Sequence, residues 1–301
     1  MGLYSKAELH RTGPQRSFTG EALAQIAFPL GGIGTGTVSL GGRGNLRDWE
    51  IHNRPGKGKS LPMTFFAVWA KPAGKQAQPV AKILERKLLP PFHAGHGLDR
   101  SALGGVARLE EAVFRGEYPI AWIDFNDAEL PVRASLEAFT PFVPLHADDS
   151  SYPVAVFHWT FRNPSQSTLE VALLAAMHNP IGRQDIGVKS EIKTLLNQYR
   201  RDEHLHGLWF SAPGLKADDP NFMTAALATP WQDADVQTNL YKGGWWDSAH
   251  ILWDDFAADG RLAQNIRSAF GAAEGSSGDP LQPQGFFDVV QSKGGEGAGA
   301  L

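Results

Sequence analysis

Residues 153–179 read PVAVFHWTFRNPSQSTLEVALLAAMHN, and this stretch indicates the fold class most directly. Its first half places large apolar side chains at alternate positions: Ala155, Phe157, Trp159 and Phe161. Such alternation is typical of a half-buried β-strand. After a polar break at 163–165, the same alternation resumes at Leu169, Val171, Leu173, Ala175 and Met177. Two alternating runs around a short break predict two strands joined as a hairpin.

The same reading extends along the rest of the chain. Six further runs, most of them bounded by Gly, Pro, Asn or Asp, are predicted strands: 63–70, 105–114, 121–127, 131–139, 205–212 and 223–229. Helical spacing of apolar residues predicts helices over 188–201 and 245–262, the second ending near Gly260. Many short strands with turn signals between them predict a mainly β protein. We expect an antiparallel, supersandwich-like β-sandwich with a few short helices.

Composition narrows the class of protein. The chain has 301 residues, which is the length of one large or two modest domains, and its 42% hydrophobic content indicates a globular core. A net charge of −4 argues against a nucleic-acid partner. There are no cysteines, so disulfides and thiolate metal sites are excluded. We find neither a signal-type N-terminus nor a run long enough to span a membrane, and a cytoplasmic location is the default expectation.

The most unusual local composition lies in residues 28–53, FPLGGIGTGTVSLGGRGNLRDWEIHN, which place seven glycines in fourteen residues. A dinucleotide-binding loop needs G-x-G-x-x-G before a helix, whereas this stretch has G-x-G-x-G followed by a strand-like run. Residues 55–60, PGKGKS, end like a P-loop, but the position of the motif's first glycine is occupied by Asn53. We therefore expect tight strand connections, with residues 41–45 as a hairpin loop.

Other motifs give no catalytic or metal site. Histidines at 93, 96, 204 and 206 lack the spacing of a metal-binding motif, and two ligands alone do not make a site. The adjacent acids at 148–149, 218–219 and 254–255 point apart if the chain is extended, so we expect turn caps and solvated faces. We assign no catalytic residue, no metal and no cofactor.

The C-terminal end differs from the rest of the chain. Residues 271–301 are mostly Gly, Ala, Ser, Pro and Gln, which predicts a Gly/Ala-rich linker or disordered tail after a sandwich domain at 1–270.

Four pieces of the sequence together resemble the N-terminal domain of glycoside hydrolase family 116. This family contains the non-lysosomal, bile-acid-type glucosylceramidases and bacterial β-glucosidases. The pieces are FPLGGIGTGTVSLGGRGNLRDWEIHNRPGKG from residue 28, PVRASLEAFTPFVPLHADDSSYPVAVFHWTFRNPS from 131, GLWFSAPGLKADDPNF from 207 and GGWWDSAHILWDDFAADGRL from 243.

The resemblance implies a sandwich followed by a large helical (α/α)6 catalytic domain. The family reaction is retaining hydrolysis of β-glucosides, including glucosylceramide, by a Glu nucleophile and an Asp acid/base in the helical domain. It needs no cofactor. No residue here matches either carboxylate. We therefore expect the catalytic domain to be absent from this chain, or present on a separate one, and the chain alone to be inactive. A truncated or frame-shifted reading frame would give such a sequence.

Two interpretations of function remain open. In the first, the chain supports the helical domain, and Arg47, Asp48, Trp49, Glu50, Trp245 and Trp246 face that domain or its sugar substrate. Trp253 is expected to share the uncovered face. In the second, the chain is a stand-alone carbohydrate-binding module whose exposed tryptophans stack on sugar rings. For Arg47 to Glu50 the alternative is structural, with Trp49 in the core and the charges solvated.

Overall fold

A computed structural model describes residues 5–74, 76–89, 103–181, 195–238, 248–262, 288–294 and 299–300. Strands are the predominant secondary structure of the described chain. In chain order they are β1 Ser17–Phe18, β2 Ala27–Leu30, β3 Thr37–Gly41, β4 Leu46–Glu50, β5 Phe65–Pro72, β6 Val80–Arg86, β7 Arg108–Leu109, β8 Glu111–Glu117, β9 Ile120–Asn126, β10 Arg133–Phe139, β11 Val156–Arg162, β12 Leu169–Met177, β13 Leu196–Arg201, β14 His206–Ser211, β15 Ala225–Thr229, β16 Ala234–Gln237, β17 Asp288–Gly294 and β18 Gly299–Ala300.

Helices are short. The described α-helices are α1 Lys6–Leu9, α2 Ala147–Ser150 and α3 Ser248–Asp259, and a 3₁₀ helix spans Gly20–Gln25. The predicted helix over 245–262 is confirmed by α3, which is followed by Gly260, whose backbone N–H donates to the Phe256 carbonyl (2.8 Å).

Two six-stranded sheets make the sandwich. The first has the order β1-β8-β9-β10-β11-β18 and the second β16-β17-β12-β5-β6-β7, while β2-β3-β4 and β13-β14-β15 form two small sheets. All pairings are antiparallel except the short contact of β6 with β7. The predicted antiparallel β-sandwich is confirmed.

The main core lies between the two large sheets. Trp159 and Ile123 from the first sheet and Phe66 and Val68 from the second belong to one buried cluster. The opposite face of β5 and β12 packs on α3, whose Leu252 and Phe256 join a second cluster. Because β5 and β12 are covered on both faces, the positions between the alternating apolar residues are also apolar along most of each strand.

The glycine-rich stretch forms the sheet β2-β3-β4. β3 and β4 are joined by the predicted hairpin loop, closed by a bond from Gly41 N–H to the Asn45 carbonyl (2.7 Å). Gly44 has φ +98°, and a Cβ there would lie 2.7 Å from the Leu84 carbonyl oxygen, so the turn needs glycine. No helix opens at this stretch, and the expectation of tight strand connections is confirmed.

The predicted hairpin of residues 153–179 is wrong. β11 pairs with β10 and β18 in the first sheet, whereas β12 pairs with β5 and β17 in the second. The polar break carries the chain from one sheet to the other, and the Asn163 side chain holds it by bonding to Ser165 N–H and the Ser167 carbonyl. Local alternation shows two strands but not which partners they take.

The predicted helix over 188–201 is also wrong where the structure describes it. Residues 196–201 form β13, which pairs along its whole length with β14. Tyr199 contacts the His206 ring edge-on and Arg200 lies 4.3 Å from the centre of the Trp209 ring. These cross-strand contacts override a helical spacing of apolar residues. Residues 188–194 lie outside the described chain.

Within the predicted tail 271–301, the structure describes 288–294 and 299–300, which form β17 and β18. The rest of that segment lies outside the described residues.

Candidate functional site

A charged groove of about 590 Å³ is a candidate catalytic or binding site. It lies where β6 and β7 meet the turn between β9 and β10, and it is lined by Lys82, Lys87, Arg108, Glu110, Asp127 and Glu129 among others. Three cations and three acids in one concavity resemble the polar set of an enzyme site, so their hydrogen bonds decide what the groove can do.

Lys82 forms hydrogen-bonded ion pairs with two acidic side chains. Its buried ammonium donates to both carboxylate oxygens of Asp127 (2.8 Å each) and to Glu129 Oε2 (2.7 Å). Asp127 in turn accepts the backbone N–H groups of Glu110 (3.0 Å), Glu129 (3.0 Å) and Leu130 (3.1 Å). These bonds fix the β9–β10 turn against β6, and we call Lys82, Asp127 and Glu129 the lysine clamp.

The pKa values in the clamp are unsuitable for acid catalysis. Burial is the largest single effect and disfavours the charge on both groups, but several opposing interactions together outweigh it. Hydrogen bonds and charge attraction from Asp127 and Glu129 raise the pKa of Lys82, and those from Lys82, together with backbone N–H groups, lower the pKa of Asp127. A glycosidase acid needs a raised pKa in order to hold its proton at neutral pH. The lysine clamp is therefore a structural support.

A second buried network connects the glycine-rich hairpin to the same edge of the sandwich. Glu85 Oε2 accepts from Arg43 Nη1 and from Arg108 Nε, both at 3.3 Å, and Arg43 also donates to the Arg86 carbonyl (2.8 Å). Arg43 lies in the hairpin loop of residues 41–45, so this network anchors the loop to β6 and β7. Sequence reasoning did not single out this arginine, because nothing in a lone loop residue indicates its distant partner.

The predicted site residues Arg47 to Glu50 lie on β4 and are engaged within the domain. Buried Asp48 has φ +53° and accepts from Gly58 N–H (2.6 Å) and from Arg47 Nε (3.4 Å). Glu50 accepts from Lys57 Nζ (2.7 Å) and Gly56 N–H (3.1 Å), and these two bonds lower its pKa. Trp49 is half-buried and packs against the main core.

These contacts also explain the PGKGKS segment. Its Gly56 and Gly58 N–H groups point at carboxylates, whereas a P-loop directs its backbone N–H groups at phosphate oxygens. Two fixed negative charges at those donors would repel a phosphate. Residues 55–60 are a loop held by the carboxylates of β4, which is not the arrangement of a P-loop.

The tryptophans lie on several different elements. Trp69 and Trp159 are buried, and the remaining described ones are half-buried: Trp49, Trp122, Trp209, Trp231 and Trp253. Trp253 was expected on an uncovered face, but it packs against the core beneath α3. Trp245 and Trp246 lie outside the described residues, and their facing a partner domain or sugar stays a prediction.

The adjacent acids and the histidines have ordinary roles where they are described. Asp219 caps a turn by accepting Asn221 N–H (2.7 Å), and Asp148 and Asp149 are exposed on α2. His206 is buried between Tyr199 Oη (3.2 Å) and the Trp231 carbonyl (2.5 Å). His93 and His96 lie outside the described residues. In the described ranges no group of three or more His, Asp or Glu could hold a metal ion, and no helix has the length and apolarity to cross a membrane.

A scan of protein families decides the family. The family model described as "beta-glucosidase 2, glycosyl-hydrolase family 116 N-term" matches residues 27–278. The chain belongs to this family. The family 116 match spans the glycine-rich sheet, α3 and every strand from β2 to β16, and it leaves out β1, β17 and β18 of the two large sheets.

A family 116 N-terminal domain implies a separate catalytic domain. Three of the described carboxylates have a lowered pKa, the opposite of the shift that a general acid needs. The pKa of Glu50 is lowered by hydrogen bonds from Lys57 and from Gly56 N–H. The pKa of Asp127 is lowered by hydrogen bonds from Lys82 and from backbone N–H groups, and that of Asp202 by hydrogen bonds from Leu205 and His204 N–H.

Proposed function

We propose that this chain is the non-catalytic N-terminal sandwich of a β-glucosidase-type retaining glycoside hydrolase and that it supports a helical catalytic domain. The observation that carries the proposal is the family 116 N-terminal match across residues 27–278. The substrate of the whole enzyme is a β-glucoside or a glycolipid of that type, and the sandwich itself contributes no catalytic carboxylate.

The engagement of the acidic side chains supports this assignment. Retaining hydrolysis requires two carboxyl groups about 5–5.5 Å apart on either side of a sugar, one of them a nucleophile free to attack. Asp127 and Glu129 share one lysine, and Asp48 and Glu50 hold the loop at 55–60. A carboxylate used in this way cannot attack a sugar without releasing the turn or loop that it holds.

Hydrolysis of an aryl β-glucoside tests the proposal. The purified 301-residue chain is compared with the same sandwich fused to a helical domain of a family 116 β-glucosidase. We expect turnover by the fusion alone. A second fusion, in which Asp127→Asn replaces the clamp carboxylate, should retain the kcat of the parent fusion wherever it is folded. Turnover by the isolated chain would contradict the proposal.

A further inference from the structure

The exposed large hydrophobic side chains are concentrated in one region. Of eleven such residues in the described chain, seven lie on three short segments, 31–36, 117–120 and 140–154. We call them the apolar patch: Ile33, Tyr118, Phe142, Val143, Leu145, Tyr152 and Val154. Scattered apolar residues are normal on a surface, but a group of this kind marks an interaction site.

Direct contacts join the three segments into one surface. Tyr118 meets Phe142 edge-on, with ring centres 5.3 Å apart. Ile33 N–H donates to the Ser150 carbonyl (2.9 Å), and a Cβ on Gly32 would lie 2.5 Å from the Tyr152 carbonyl oxygen. The glycine-rich loop therefore packs directly on the segment that carries Tyr152, and only glycine permits that approach.

The patch is held rigidly. Ser150 is buried, and its hydroxyl both accepts from Val143 N–H and donates to the Val143 carbonyl, at 2.9 Å each. Thr140 donates to the Val154 carbonyl (2.9 Å), which closes the base of the segment. Prolines at 119, 141, 144 and 153 further restrict the backbone. A preformed surface loses little conformational entropy when a partner binds.

Leu145 stands out at the centre of this segment. Its side chain is fully exposed, at 104%, and its backbone has φ +68°. A leucine in the left-handed region is strained, and an exposed leucine gains nothing from the fold in return. Such a residue is explained when a partner buries its side chain.

The charges around the patch indicate the chemistry of that partner. The three segments contain no Lys or Arg, and their only formal charges are the exposed acids Glu117, Asp148 and Asp149. Two copies meeting through this face would bring like charges together. A complementary partner presents apolar side chains surrounded by Lys or Arg.

We propose that the apolar patch is the docking surface for the helical catalytic domain, with Leu145 and Tyr152 as anchors and basic side chains of that domain opposite the acidic rim. The inference rests on the proposed function, since it takes its occupant from the family 116 N-terminal assignment. The end of β4 adjoins the surface, because a Cβ on Gly36 would lie 2.7 Å from the Glu50 carbonyl oxygen. The predicted position of Arg47 to Glu50 near the interface is kept as part of this proposal.

Binding of the two domains as separate chains tests the surface. The helical domain of a family 116 β-glucosidase is immobilised, and the affinity of the 301-residue chain is measured by biolayer interferometry. Leu145→Glu and Tyr152→Glu should each weaken binding by about tenfold or more, as expected for anchors near the centre of an interface. Thermal unfolding of each variant establishes that it is folded.

Matched controls come from the other exposed hydrophobics. Leu205 and Phe222 are 46% and 53% exposed and lie outside the three segments, so Leu205→Glu and Phe222→Glu should leave affinity unchanged. Raising salt from about 0.1 M to about 1 M should slow association by screening the acidic rim. Equal losses in the control variants, or none in the patch variants, would overturn the docking surface.

Other outcomes separate the two proposals. If the chain forms a dimer that Leu145→Glu dissociates and does not bind the helical domain, a second copy occupies the patch and the docking proposal is wrong. If the helical domain binds but ignores the patch variants, the proposed function stands and only the surface is wrong. Turnover of an aryl β-glucoside by the chain alone would remove the proposed function itself.

Discussion

At the scale of single residues, Asp48 shows how a predicted site residue takes a structural role. It is buried at 2%, lies in the left-handed region at φ +53°, and accepts a 2.6 Å bond from Gly58 N–H. Aspartate tolerates this backbone conformation better than most residues, and its carboxylate satisfies a loop donor. The residue therefore fixes the loop at 55–60 on β4.

Replacing Asp48 should be costly. Asp48→Ala places alanine at positive φ and leaves the Gly58 donor unpaired, so we expect a loss of about 3 kcal/mol in the free energy of unfolding. Asp48→Asn keeps an acceptor and tolerates the same φ, and should cost about 1 kcal/mol. Urea denaturation of both variants measures the difference. Similar losses for the two would show that the hydrogen bond and backbone contribute little.

At the scale of elements, the lysine clamp should dominate the local stability of the β9–β10 turn. Lys82→Met leaves the buried Asp127 carboxylate without its cation, so we expect a loss of about 3–5 kcal/mol. Lys87 lines the same groove but pairs with Glu110 at 56% exposure on both sides, so Lys87→Met should cost no more than about 0.5 kcal/mol. Urea denaturation compares the two variants, and equal losses would contradict the clamp.

The clamp also has a pH signature. The lowered pKa of Asp127 gives stability that is present above its unfolded value of about 3.9 and is lost as pH falls through the folded value. The raised pKa of Lys82 gives stability that is present below about 10.4 and is lost as pH rises through its folded value. The difference in unfolding free energy between the wild type and Lys82→Met should therefore shrink below about pH 4 and above about pH 10.4. A difference that stays constant across the whole range would show that the clamp charges are not its source.

Strands could be predicted from the sequence where the burial of one or both faces sets the pattern of apolar residues. Alternating or continuous apolar runs correctly placed β5, β9, β10, β11, β12 and β14, because one or both faces of each strand are buried. Pairing was not predictable: β12 takes β5, from a hundred residues earlier in the chain, and not its neighbour β11. The sequence did not predict β13 as a strand for a related reason. Asn197 is its only buried residue, so no apolar pattern marks the strand, and its pairing with β14 defines it.

At the scale of the whole molecule, the family and the sandwich followed from the sequence, whereas the apolar patch did not. Nothing in the sequence distinguishes the exposed Phe142, Val143 and Leu145 from core residues, since sequence does not report exposure. Pairs such as Lys82 with Asp127, 45 positions apart, are likewise visible only in the fold. The sequence placed the candidate site at the charged residues of β4, whereas the structure favours the apolar patch that adjoins them.

The central claim is that this sandwich has no catalysis of its own and supports a helical domain by docking on it. Its most direct test is kcat/KM for 4-nitrophenyl β-glucoside, measured for the helical domain of a family 116 β-glucosidase alone, with the 301-residue chain added, and with the Leu145→Glu chain added. We predict no turnover by either chain alone, a gain in kcat/KM when the wild-type chain is added to the helical domain, and a smaller gain with Leu145→Glu. Full activity of the helical domain without the chain, unchanged by adding it, would contradict the account.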